Sequence, residues 1–131
     1  MPSPDDIERF GRRAQDLLQE IGSVDLQEIL GAYLIDTRGR LELLPHLLSD
    51  RDFRLLARCA HSIQGGSSIF GLDEIQRAAQ EVELAAGLPQ NPGLIQLIDS
   101  LRDRYADWEP ELQAAHARLV AGPGGSGRSA A

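Results

Sequence analysis

Only one cysteine, Cys59, occurs in these 131 residues. No internal disulfide and no cysteine-built metal site can form, and a reducing compartment is the natural setting. Basic residues are also in short supply: 13 against 20 acids leave a net charge of −7. Such a field repels phosphates, which argues against nucleic acid and anionic membranes as partners. No apolar run approaches the length of a membrane span. The opening "MPSPDDIERF" has neither a basic start nor an apolar core, so it does not read as a signal peptide. β-Branched residues are sparse and strand-like alternation is absent, so no strand is predicted. The three histidines share no short ligand spacing, which disfavours a metal site. There is no glycine-rich nucleotide-binding motif, so the chain should not phosphorylate itself. These absences leave a cytoplasmic protein that binds no cofactor of its own.

What is present is helical periodicity. Apolar residues recur every three or four positions in five segments. The first runs from about 4 to 21, with Ser3 as N-cap, Pro4 at the first helical position and Gly22 as the stop. Its stripe is Ile7, Phe10, Ala14, Leu17 and Ile21. The second runs from 25 to 48, opened by Asp25 and Glu28 as a capping box. Pro45 inside it predicts a kink or an early end. The third spans 52–70 and stops at Gly71; the fourth spans 73–87, with Asp73 and Gln76 as a second capping box. Asn91 then caps the fifth, with Pro92 at its first position, and the stripe continues to Leu119 across a kink at Pro110. The fold class is all-α: an antiparallel four-helix bundle with an additional N-terminal helix. Residues 1–120 form the bundle, and the Gly/Ser-rich tail 121–131 is expected to be disordered.

The stretch "AHSIQGGSSIFG" (60–71) places two glycines inside the third helix. Each costs about 1 kcal/mol relative to alanine. The core stripe of this helix is Phe53, Leu56, Ala60, Ile63, Ser67 and Phe70. His61 leaves that stripe and shares a row with Arg54, Arg58, Gly65 and Ser68. Gly65 lies one turn beyond the imidazole. A bare position there leaves the ring accessible and lets another surface approach closely. A surface or boundary histidine is the plainer reading of His61, and it is the reading given to His46 and His116. Cys59 points away from His61 and reads as core packing.

Ala60, His61, Ile63, Gly65, Gly66, Ser67, Gly71 and Leu72, followed by Val82–Glu83, resemble the histidine-containing phosphotransfer (HPt) domain of two-component phosphorelays. The family pattern is A-H-x-(L/I)-K-G-(S/G)-(S/A) with a further glycine about ten residues after the histidine. The stretch is also similar to the first domain of chemotaxis-type histidine kinases. The resemblance covers roughly residues 24–119. It implies that His61 accepts a phosphoryl group on Nε2 from a receiver aspartate or a histidine kinase and passes it to a receiver aspartate. Glu83 would accept from Nδ1–H and hold the tautomer. Gln64 stands where the family usually has lysine, and Arg58 is the cation that could take its place near phosphate. Gly65 and Ser68 would meet the partner, with apolar help from Ile7 or Phe10. The implied partners are response-regulator receiver domains and a sensor or hybrid kinase, and Mg²⁺ is expected on the receiver. Two alternatives remain open: a phosphorylation-incompetent adaptor that docks receivers, and the substrate domain of a chemotaxis-like kinase.

Overall fold

The computed structural model describes residues 1–88 and 92–128, the last six by backbone alone. Its element order is α1 (Pro4–Ser49), α2 (Phe53–Ile69), α3 (Asp73–Ala86) and α4 (Leu94–Arg128), with no strand among the described residues. The first two predicted helices are the two parts of α1, which leaves helical geometry only at Gly22 (φ 86, ψ 166). That φ is open to glycine and strained for other residues. Ser3 caps the first part as expected, its Oγ accepting from the Asp6 N–H at 3.1 Å. Ile21 does not join the inward stripe; next to the Gly22 break it is left 38% exposed.

Other boundaries differ from the sequence-based expectation. Helical backbone resumes at Ser23, so Asp25 lies inside the helix rather than at its cap. Helix α1 continues through Pro45 to Ser49 rather than ending early. Leu41, Leu44 and Leu47 are buried on both sides of the proline, and this burial offsets the one missing backbone bond. Helix α3 is capped by Leu72, without a side-chain bond. Asp73 instead accepts from Arg9 Nη1 at 3.1 Å, tying the start of α1 to the start of α3. Helix α4 begins at Leu94, with Gly93 carbonyl accepting from Leu97 N–H at 3.0 Å, and Pro92 precedes it in a turn. Asn91 lies outside the described residues. The predicted tail begins at 121; α4 instead has helical backbone to Arg128, interrupted at Gly122 (φ 69, ψ 163).

Each helix packs on two others, α2 on α1 and α3, α4 on α1 and α3. Leu44, Leu56, Ile63, Val82, Leu101 and Leu112 meet between them, each at most 1% exposed. Burying a side chain of this kind contributes roughly 1.5–3 kcal/mol. The first part of α1 closes one end of the bundle, where Phe10 meets Trp108 edge-on at 5.7 Å between ring centroids. Arg13 Nε donates to Ile69 carbonyl at 2.9 Å, satisfying one of the free carbonyls at the end of α2.

Candidate functional site

Helix α2 starts at Asp52, whose Oδ1 accepts from Leu55 N–H at 3.2 Å. It ends in a Schellman motif: Leu72 N–H reaches Ser67 carbonyl at 3.0 Å and Gly71, at φ 65, reaches Ser68 carbonyl at 3.2 Å. Both ends are thus held, and the rotation of the helix is set by Leu56, Ala60, Ile63 and Ser67, all buried. A second layer locks it from below. Ser67 Oγ donates to Ile63 carbonyl at 2.7 Å. Its proton is therefore engaged, and Tyr33 of α1 is the donor in the 2.8 Å contact between the two hydroxyls. Burial pushes the Tyr33 hydroxyl up to about 12. The sequence places Ser67 on the core stripe of its helix but carries no signal that its hydroxyl meets that of Tyr33.

This placement turns His61 outward, with a side-chain exposure of 70%. Its Nδ1 lies 3.0 Å from Oε2 of Glu83 on α3. A carboxylate only accepts, so in the neutral ring Nδ1 carries the proton and Nε2 keeps its lone pair. A Cβ at Gly65 would meet nothing within 4 Å, whereas one at Gly66 would come within 3.0 Å of the Tyr33 ring. The first glycine leaves space beside the imidazole; the second admits a neighbouring helix.

The remaining candidates divide. Arg58 is exposed and makes no ion pair among the described residues. Gln64 is half-buried; its Oε1 is turned inward without a partner, so the amide nitrogen is the accessible end. Ser68 is exposed, but its hydroxyl donates back to Gly65 carbonyl at 2.7 Å. Ile7 is half-buried at the edge of the N-terminal segment. Phe10 is 5% exposed and packs against Trp108, and with Ile7 it also lines a groove along the N-terminal segment. Cys59 is buried, as expected, and burial pushes its thiol up. His116 sits over Gly31, its Nε2 3.0 Å from where a Cβ would stand. No cluster of histidine, cysteine and carboxylate suited to a metal occurs among the described residues.

An all-helical domain carrying one exposed, carboxylate-oriented histidine on a helix with an open glycine belongs, as a class, with histidine-bearing signalling modules. The chain is a member of the Hpt domain family, whose match covers residues 28–121. Membership makes it a histidine phosphotransfer module of two-component phosphorelays, a setting of receiver and kinase partners. Comparison with curated proteins and with solved structures finds no match. No helix among the described residues is long and apolar enough to cross a membrane.

Proposed function

We propose that this chain is a phosphorelay intermediate with His61 as its phosphoryl acceptor. The bundle is read as antiparallel, with residues 4–21 as an additional N-terminal helix, and the setting as cytoplasmic. The observation that carries the reading is the 3.0 Å contact between Nδ1 of an exposed His61 and the Glu83 carboxylate. It leaves Nε2 unprotonated and facing out, which is what a nucleophile near neutral pH requires.

The Nε2 lone pair attacks phosphorus in a partner's aspartyl phosphate. The P–N bond forms as the acyl P–O bond breaks, and the aspartate leaves as a carboxylate. With ATP on a kinase as donor, ADP leaves instead. The ring becomes cationic in this step, and Glu83 stabilises that charge while it orients the ring. Onward transfer to a second receiver reverses the sequence. Mg²⁺ on the receiver supplies most of the charge neutralisation. The present chain contributes an oriented nucleophile and a face on which the receiver sits, around Gly65 and Ser68. Accessible phosphate-directed donors are Arg58 and the amide nitrogen of Gln64.

A second reading, a receiver-docking adaptor that accepts no phosphate, draws on Gln64, a neutral residue where the family usually carries lysine. One experiment separates the two. The chain is incubated with a panel of phosphorylated receivers and followed by phosphorus NMR. The expected product is an acid-labile, alkali-stable phosphoryl group that disappears in His61→Ala. Receiver binding with no transfer from any member would establish the adaptor.

A further inference from the structure

A groove of about 630 Å³ runs beside the N-terminal segment. Its lining draws on Gly11, Ala14 and Leu18 from the first part of α1 and on Glu111, Ala115, Arg118 and Leu119 from α4. Where the two elements face each other with glycine and alanine, their side chains do not fill the space between them. The buried rings and chains beneath, Phe70 and Leu26 among them, give the groove an apolar floor. Apolar side chains continue beside it. Val24 follows Ser23 and Val120 follows Leu119, both of which line the groove, and both valines are exposed. An open apolar surface of this kind marks a site of association.

The occupant is indicated by the charges. Glu111 and Arg118 are the only charged residues in the lining among the described residues, one of each sign. Neither forms an ion pair within the chain among the described residues. They stand seven positions apart on one helix, so they share a face and are separated by two turns, about 10 Å. Midway between them are Ala114, which is exposed, and Ala115. A helix with this pattern is complementary to itself. When a second copy runs antiparallel about an axis between residues 114 and 115, each Glu111 faces the partner's Arg118. The alanines at the crossing let the two helices approach closely. This is the rule of an isologous contact, in which residue i meets j and j meets i.

We propose that two copies of this chain associate through α4, with Glu111 and Arg118 forming two symmetric ion pairs over the apolar groove. His61, Glu83 and Gly65 take no part in the lining, and α2 packs on α1 and α3 rather than on α4. The dimer therefore leaves both histidines open. The inference stands independently of the phosphotransfer reading.

The test measures the mass of the full chain by sedimentation equilibrium over a range of concentrations at low salt. The unaltered chain should form a dimer. Glu111→Arg and Arg118→Glu each place like charges opposite one another twice, and each should weaken the dimer at least about tenfold. One variant lowers the net negative charge and the other raises it, so a general charge effect would move the two in opposite directions. In an equimolar mixture of the variants every pair is again of opposite sign, and the mixed dimer should recover the original affinity. Circular dichroism checks that both variants keep their helices. A chain that stays monomeric up to about 1 mM would overturn the proposal and leave the groove to a smaller apolar ligand. Undiminished association in either variant, or a mixture no tighter than its components, would overturn it equally.

Discussion

A methyl group added at Gly65 would enter open space, while one added at Gly66 would press on the Tyr33 ring at 3.0 Å. Tyr33 has little freedom to yield, since its hydroxyl is bonded to Ser67 and its ring lies 5.3 Å from Phe70. Gly65→Ala should therefore stabilise the fold by about 1 kcal/mol, the helix-propensity gain, and Gly66→Ala should gain nothing. Urea unfolding of the two variants checks the contrast. Gly65→Leu should fold equally well and label with phosphoramidate, yet transfer to a receiver at least about tenfold more slowly, a loss of roughly 1.4 kcal/mol. Undiminished transfer would take the docking role from this glycine. The different surroundings of the two glycines were legible from the sequence, because the helical repeat separates positions 65 and 66 by about 100°. The contact of Phe10 with Trp108 was not. Periodicity shows that a residue is on an apolar face, not whether that face meets a partner or Trp108, far along the same chain.

At the scale of the element, α2 is positioned by a buried hydroxyl pair as well as by its apolar stripe. Tyr33, at about 12 in the fold against 10.0 in the free side chain, is the titrating member. The folded protein keeps a proton that the unfolded chain releases, so this contribution is complete below pH 10 and is lost as the pH rises towards 12. A displacement of about two units corresponds to roughly 2–3 kcal/mol. Tyr33→Phe should cost about 1 kcal/mol at neutral pH, the value of one hydrogen bond, and should flatten part of the alkaline decline. Unfolding free energies between neutral pH and pH 10–12 measure it. An equally steep decline in the variant would assign the effect to another group, such as Tyr105, which burial also raises. Helix existence was legible throughout because each stripe sustains a 3.6-residue period. Start positions were less so. Asp73 looks like a cap, but its carboxylate is taken by Arg9, a partner 64 residues away that no local pattern reveals.

For the whole molecule, the segment before Gly22 stands apart. It precedes the family match, which begins at residue 28, and it joins the rest through one glycine of positive φ. Amphipathic stripes predict that five helices pack, but they are too alike to say which stripe meets which; short turns at 50–52 and 70–72 constrain only sequential neighbours. The seat of the N-terminal segment is set by Phe10 on Trp108, Arg13 on Ile69 carbonyl and Arg9 on Asp73. The two polar links are exposed, and exposed pairs contribute about 1 kcal/mol or less. Apolar burial, led by Phe10 and Leu17, therefore carries most of the attachment. Phe10→Ala should lower stability by about 3–5 kcal/mol and shift Trp108 fluorescence to the red as water reaches the indole. The His61–Glu83 pair lies between α2 and α3, whereas residues 10 and 108 lie on α1 and α4. Labelling of His61 by phosphoramidate should thus persist at temperatures where the variant remains folded. A stability loss under about 1 kcal/mol, within the range of an ordinary surface change, would mean that the segment is held by its polar links instead. Loss of labelling in a folded variant would mean that the end of the bundle and the histidine face are coupled.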